Sequence, residues 1–232
     1  MTDNTMERSL REGLAQLEMT LGEAQIQTLL AFGAAVLAQN QVMNLTAVTE
    51  PAAFARLHLL DSLTLWKTAN LENQTLLDVG TGAGFPGVPL KIACPSLRLT
   101  LLDSTEKKIR WLAATLPALY IDAETIAARA ETLETHYDVV TSRAVARLNL
   151  LCELCQPRVR PGGRFYALKG PGGEAEAAEA AGAIRRLGGE LEGITHITLP
   201  EGDERVIITI RQIHPTPAGY PRPWGQMKRR PL

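Results

Sequence analysis

The hydrophobic period of this chain changes once, near residue 74. Before that point, apolar residues recur at helical spacing. Ile26, Leu29, Leu30, Gly33 and Leu37 form one stripe behind the capping-box spacing Thr20-Leu21-Gly22-Glu23. Phe54, Leu57, Leu60 and Leu65 form a second stripe, opened by Thr49-Glu50-Pro51, where proline suits a first helical turn. The polar run Asn44-Leu45-Thr46 connects them. From Gln74 onward, short β-branched or leucine-rich runs alternate with helical stretches. The predicted strands are Thr75–Val79, Leu97–Leu102, Thr125–Ala128, Tyr137–Ser142 and Arg164–Leu168. Candidate helices fall between them at Gly87–Ala93, Glu106–Leu119, Leu148–Val159 and Glu174–Leu187. Such alternation requires a mostly parallel sheet covered on both faces. The last two candidate strands, Ile194–Leu199 and Arg205–Ile213, are joined only by Glu201-Gly202-Asp203. They predict an antiparallel hairpin at one edge of a seven-stranded α/β sheet.

Three segments follow from this pattern: a helical extension over 1–70, an α/β domain over 71–214, and a tail over 215–232. The tail holds Pro215, Pro217, Pro221, Pro223 and Pro231 among Arg222, Lys228, Arg229 and Arg230. Its prolines predict no regular secondary structure. It reads either as a solvated extended tail or as a basic arm for RNA phosphate.

Composition narrows the class. At 45% hydrophobic and 21% charged residues the chain is an ordinary globular one. A formal net charge of -1 gives no overall attraction to nucleic acid, so only a local basic patch would serve. Asp3, Glu7, Arg8, Arg11 and Glu12 near the start are not the pattern of a signal peptide. The apolar stretch from Thr28 to Ala38 is too short to cross a bilayer. Three cysteines suit a reducing cytoplasm.

The chemistry concentrates after the first strand. In Asp78-Val79-Gly80-Thr81-Gly82-Ala83-Gly84-Phe85-Pro86-Gly87 an apolar run ends in an acid and opens into alternating glycines. Glycine lets the backbone lie close against a nucleotide-like ligand. The second strand ends in Asp103, where a doubly wound sheet places the carboxylate that accepts ribose hydroxyls. Gly82 to Gly87 satisfies the dinucleotide fingerprint, yet Asp78, Gly80, Gly82 and Gly84 also match the loop of S-adenosylmethionine-dependent methyltransferases. A carboxylate at position 78 repels a pyrophosphate and attracts a methionine ammonium. No second nucleotide-binding half follows, and the edge hairpin departs from a dinucleotide sheet. The pattern therefore favours a class I S-adenosylmethionine-dependent methyltransferase, Rossmann-like, over a nicotinamide oxidoreductase.

Several motifs also occur in one family's order: Asp78 to Gly87, Leu102-Asp103-Ser104-x-x-Lys107-Lys108, Val140-x-Ser142-Arg143-Ala144, Leu168-Lys169-Gly170, Tyr220-Pro221-Arg222 and the final Pro231-Leu232. With Asn44-Leu45-Thr46 and His58-x-x-Asp61-Ser62-Leu63 upstream, the chain resembles the ribosomal RNA small subunit methyltransferase G family, also called glucose-inhibited division protein B. The resemblance implies methylation of N7 of one guanine in 16S ribosomal RNA, with S-adenosyl-L-methionine as cofactor. By the same resemblance Gly80, Phe85, Ala130, Glu131 and Arg143 bind that cofactor. One departure stands out: the family's basic residue before the histidine of the H-x-x-D-S-L motif is Leu57 here. Arg56 lies one place earlier, about 100° away on a helix.

Guanine N7 has a lone pair and no proton to lose, so no catalytic acid or base is expected, only positioning. Other methyl acceptors, such as another RNA or a small molecule, are the alternative, as is a cofactor-binding module without catalysis. Candidate RNA contacts are Arg147, Lys169, Arg222, Lys228, Arg229 and Arg230, each of which could equally be a solvated or ion-paired side chain. The partner is then the small ribosomal subunit or its RNA, and the chain is expected to act as a monomer. Cys152 and Cys155 sit i, i+3 on an apolar helix and read as buried thiols, with no metal site expected. His58 and Asp61 share that spacing, which suits docking of the helical segment onto the sheet. Trp66 and Trp111 read as core aromatics, while Trp224 offers either local packing or a stacking platform.

Overall fold

A computed structural model describes residues 5–232; Asp3 lies outside the described residues. The sheet runs β3-β2-β1-β4-β5-β7-β6. Its strands are β1 (Thr75–Val79), β2 (Arg98–Asp103), β3 (Glu124–Ala127), β4 (Tyr137–Arg143), β5 (Val159–Lys169), β6 (Gly189–Thr198) and β7 (Glu204–Gln212). The first five pair in parallel, and β7 turns antiparallel to both β5 and β6. This is the seven-stranded mixed sheet with an edge hairpin that the sequence pattern predicts. The strand order reverses between β1 and β4, so their C-terminal ends open the crevice where ligands of such sheets bind.

Alternation along each strand divides the interior into two cores. Leu76, Leu99, Leu101, Val139, Tyr166 and Ile207 face one side. Leu77, Leu102, Val140, Phe165, Ile208 and Ile210 face the other. The first face is covered by α1 (Thr5–Gln16), α2 (Glu23–Met43), α5 (Gly87–Ala93) and α6 (Glu106–Ala118), so the N-terminal helices share a core with the sheet. The second is covered by α7 (Leu148–Cys155) and α8 (Gly173–Arg186), which bury Cys152 and Cys155.

Strands β5 and β6 begin five residues before their predicted starts, at Val159 and Gly189, the predicted helix from Leu148 ends at Cys155, and three further local features differ from the pattern. Helix α2 is capped by Gly22, whose N–H donates to Gln25 Oε1 at 2.9 Å, in place of the predicted Thr20–Glu23 box. Gln25 at the third helical position supplies the reach-back half of a capping box, and because glycine has no hydroxyl the Gln25 N–H donates to the Gly22 carbonyl at 3.0 Å instead. The predicted helix from Pro51 is α3 (Pro51–Phe54) and α4 (Asp61–Thr68), joined without a break by a π-helical turn at Ala55–Leu60. Such a turn rotates the side chains it carries relative to an ideal helix.

The tail is the third difference. It forms α9 (Trp224–Arg229), with Pro223 just before the first turn where the missing N–H costs nothing. The tail packs back on α7: Met227 is fully buried, and Tyr220, Trp224 and Leu232 rest on the same core. Arg222 clamps the carboxylate of Glu153, itself 0% exposed, through Nε at 2.7 Å and Nη2 at 2.5 Å. The expectation of a structureless arm fails because a buried acid on α7 demands a cation. That need was invisible from the tail's own composition.

Candidate active site

Two cavities adjoin at the C-terminal ends of β1, β2, β4 and β5. The first, about 340 Å³, is lined by Gly80, Leu102, Asp103, Ser104, Ala128, Arg129, Ala130, Glu131, Val145, Leu154 and Trp224. The second, about 570 Å³, is lined by Leu57, His58, Asp61, Arg143, Ala144, Val145, Arg147, Lys169, Glu176 and Arg205 among others. Val145 belongs to both and forms the partition. Its Cγ2 lies 2.4 Å from where a Cβ at Gly80 would be, and Gly80 has φ +72°. A side chain at position 80 is therefore excluded twice, by conformation and by space.

Asp103 reaches the rim of the first cavity from the end of β2. Its Oδ2 accepts from the Gly82 N–H at 3.0 Å and its Oδ1 from the Thr105 N–H at 2.7 Å. Each oxygen keeps a further lone pair for a hydroxyl in the cavity. The predicted strand-end acid is thus fixed to the glycine loop on one side and to the start of α6 on the other. Ala130 and Glu131 lie in a short 3₁₀ turn forming the far wall, with Glu131 paired to Arg129. Arg129 in turn sits 5.0 Å over the ring of Trp224.

Asp78 is placed differently from expectation. It lines neither cavity and is 0% exposed. Its Oδ2 accepts from Thr81 Oγ1 at 2.7 Å and from the Gly87 N–H at 2.9 Å, while Oδ1 is buried without a partner. The loop folds back over the end of β1, so the carboxylate braces the loop from within. Burial raises its pKa to about 6, against the opposing pull of those two hydrogen bonds and of Arg143. Gly82 (φ +59°) supplies the N–H for Asp103, and Gly84 (φ +99°) packs against Val88, Phe32 and Leu112. Both glycines shape the loop from below.

Phe85 is likewise buried beneath the site. Its ring stacks on His58 at 5.0 Å between centroids and lies 5.4 Å under the Arg143 guanidinium. Arg143 is the hub of the second cavity. It donates to Asp61 Oδ2 at 2.9 Å, to the Leu57 carbonyl at 3.1 Å and to His58 Nδ1 at 3.2 Å. Arg205 holds the other oxygen of Asp61 at 3.1 Å. Arg143 thus ties the π-helical turn to the end of β4, and His58 and Asp61 dock the helical segment by meeting this arginine. Burial and the adjacent Arg143 charge lower the pKa of His58 to about 4, so the ring is neutral near pH 7. The departure at Leu57 leaves only its backbone at this junction, while Arg56 turns away to Asp203 and Glu201 in the β6–β7 turn.

The candidate RNA contacts divide. Arg147 and Lys169 line the second cavity; Arg147 pairs with Glu179, and Lys169 donates to Glu176 at 2.8 Å and to the Ala146 carbonyl at 2.6 Å. Lys228, Arg229 and Arg230 are exposed on and after α9. Arg222 is not an exposed arm residue, because its guanidinium is committed to Glu153. Among the described residues, no three His, Cys, Asp or Glu side chains converge on a metal-sized site. Sequence reasoning missed Arg205, Val145 and the place of Trp224. Arg205 starts β7, between β5 and β6, with no motif around it, and only the folded hairpin brings it to Asp61.

Comparison with known proteins agrees with this geometry. The fold is that of class I methyltransferases: an O-methyltransferase from Thermotoga maritima described as SAM-dependent superposes with a TM-score of 0.52 at 14% identity, over 77% of this chain and 72% of that one. The family model of rRNA small subunit methyltransferase G matches residues 25–206. The chain is 42% identical, over 99% of its length and 100% of theirs, to a ribosomal RNA small subunit methyltransferase G from Pelotomaculum thermopropionicum. A protein of the same name from Alkaliphilus metalliredigens is 40% identical over 96% of this chain and 97% of that one. The chain belongs to the rRNA small subunit methyltransferase G family.

Proposed function

We propose that the protein transfers a methyl group from S-adenosyl-L-methionine to N7 of a guanine in 16S ribosomal RNA. Family membership supports the reaction and the substrate. The observation that carries the division of labour is the pair of cavities that meet at Val145.

The first cavity fits an adenosyl group. Asp103 presents free lone pairs at its rim, Gly80 leaves the backbone bare, and Ala130 with Glu131 closes the far end. S-adenosyl-L-methionine supplies, when bound, a methyl on a positively charged sulfur. The second cavity receives the base and the RNA strand. Among its lining residues, Arg143, Arg147, Lys169 and Arg205 outnumber the carboxylates of Asp61 and Glu176, four against two, with His58 neutral. Such an excess at a concave surface draws a polyanion even though the chain as a whole is near neutrality.

No side chain needs to remove a proton, because N7 carries none. The residues orient the base and exclude water, and such positioning supplies about 7–11 kcal/mol in well-aligned cases. Arg143 lines the second cavity two residues before the shared Val145 and is held rigid by three acceptors. A fixed guanidinium offers a flat surface for an unstacked base. Lys228, Arg229 and Arg230 extend the basic surface toward flanking phosphates. Our reading has the chain act as a monomer, and a ribosomal RNA substrate supports a reaction in the cytoplasm. The test is transfer of labelled methyl from S-adenosyl-L-methionine to small subunits lacking the modification, with mapping of the labelled nucleotide. Label on N7 of one guanine of 16S RNA is expected. Label elsewhere, or none, refutes the assignment.

A further inference from the structure

We infer that the C-terminal segment is a cofactor clamp, and that Trp224 is a wall of the adenine end of the adenosyl cavity. The inference rests on the reading of that cavity as the cofactor site. It deepens that reading by assigning to cofactor binding a residue of the tail, which otherwise looks like an RNA arm.

Trp224 lines the cavity together with Asp103, Ser104, Arg129, Ala130 and Glu131. It arrives there because the tail is anchored on both sides of it. Upstream, Arg222 donates to the fully buried Glu153 from its backbone N–H at 2.9 Å and from its guanidinium at 2.7 and 2.5 Å. Downstream, Met227 is buried completely in the second core. Arg222 also donates to the Arg230 carbonyl at 3.0 Å, which closes the segment into a loop over α7. A single buried charge pair thus fixes where the indole stands. The half-buried indole has Arg129 5.0 Å over its ring, and Arg129 is tied to Glu131. Indole, guanidinium and carboxylate form one continuous wall, of the kind that binds flat purines by stacking.

Nothing in that wall favours a phosphate. The one cation lining the cavity with Trp224 is Arg129, and it is tied to Glu131, whereas the exposed cations Lys228, Arg229 and Arg230 lie further along the chain. The same short helix therefore serves two ligands. Its first residue meets the cofactor, and its last ones, exposed on the surface, are left for RNA phosphate.

Calorimetry with S-adenosylhomocysteine, on the full chain and its variants, tests this. Trp224→Ala is expected to weaken binding about tenfold, the scale of one lost aromatic–base stack, and to weaken adenosine binding in parallel. Trp224→Phe, which keeps an aromatic face, is expected to restore affinity to within about threefold of the natural chain. A second readout is optical. S-adenosylhomocysteine should quench tryptophan emission in the natural chain but not in Trp224→Phe, where only Trp66 and Trp111 remain. Equal affinities for the natural chain and Trp224→Ala overturn the inference, as does a quench that survives in Trp224→Phe. A Trp224→Ala chain that binds cofactor normally but loses RNA overturns it in favour of an RNA arm. If the natural chain itself fails to bind S-adenosylhomocysteine, the cofactor reading falls first and takes this one with it.

Discussion

His58 receives a hydrogen bond from Arg143 at its Nδ1, across 3.2 Å, which fixes the tautomer of the ring. Nδ1 must accept, so Nε2 carries the proton and donates to Thr46 Oγ1 at 2.7 Å. The neutral imidazole thus joins the connector after α2 to the end of β4. It stacks on Phe85 at the same time. A positive charge on this ring would face Arg143 directly.

That relationship predicts an acid-sensitive docking of the helical segment. His58 titrates at about 4 in the folded protein, below the ordinary value of about 6.5. The unfolded chain therefore binds more protons between those values, and stability falls as pH drops from 6.5 toward 4. The loss contributed by this residue is about 2 kcal/mol between pH 7 and pH 5. Urea unfolding at both pH values measures it. The natural chain should lose more stability on acidification than His58→Asn by that amount, and equal losses would show that the ring is not held neutral.

Asp78 predicts the opposite slope. Its folded pKa of about 6 lies above the ordinary carboxylate value of 3.8. The folded state here binds more protons than the unfolded one between those values, so this group erodes stability as pH rises from 4 to 6. Only one oxygen is hydrogen-bonded, by Thr81 and Gly87. An Asn can accept both bonds with its single carbonyl oxygen. Asp78→Asn should match the natural chain near pH 4 and exceed it in stability by up to about 3 kcal/mol above pH 6. Asp78→Ala should be destabilised by about 2–3 kcal/mol near pH 4, because two buried donors lose their acceptor, and the deficit should shrink as pH rises past 6, where the natural chain bears the cost of its own buried carboxylate. Thermal melts of both variants at pH 4.5 and 7.5 decide. A more stable natural chain at pH 7.5 than Asp78→Asn would mean that the ionised carboxylate is welcome in the loop.

Asp61 is the counter-ion shared by Arg143 and Arg205. With its side chain 7% exposed, removing its charge leaves two half-buried guanidinium groups facing each other. Asp61→Ala should cost about 3–5 kcal/mol, the usual result of breaking a buried pair from one side. Replacing Arg205 as well, in Asp61→Ala/Arg205→Leu, relieves part of that loss. Chemical unfolding of the single and double variants measures the coupling. Strict additivity would show that Arg205 and Asp61 do not act on each other.

What the sequence made legible follows from the range of the forces involved. The five parallel strands and the hairpin could be read from local period and turn chemistry, since Leu76 and Leu77 must face opposite cores whatever else the fold does. Asp103 was legible because the end of a second strand in such a sheet has one topological place. The direction of Asp78 was not. Whether a strand-end carboxylate faces a ligand or turns beneath its own loop depends on where Gly87 returns, nine residues on. Nor was the fold of the tail, whose prolines spoke for an extended chain while Glu153, 69 positions away from Arg222, supplied the charge that folds it. The π-helical turn at Ala55–Leu60 left no trace in the spacing of Leu57 and Leu60. It exists to meet Arg143, a contact made only in three dimensions.

Asp103 carries the last prediction. Its two oxygens already hold the N–H groups of Gly82 and Thr105, so the carboxylate is rigid before any ligand arrives. An Asn at this position keeps one acceptor and turns a donor toward one of those N–H groups. It also removes the negative charge that strengthens hydrogen bonds from ribose hydroxyls. Loss of one charge-assisted bond is about 1.5–3 kcal/mol, so S-adenosylhomocysteine should bind Asp103→Asn about 10- to 150-fold more weakly. Adenine itself, which has no ribose, should bind both chains alike. Calorimetry with the two ligands separates the contributions. If adenine affinity falls as far as that of S-adenosylhomocysteine, Asp103 shapes the cavity through the glycine loop and does not touch the sugar.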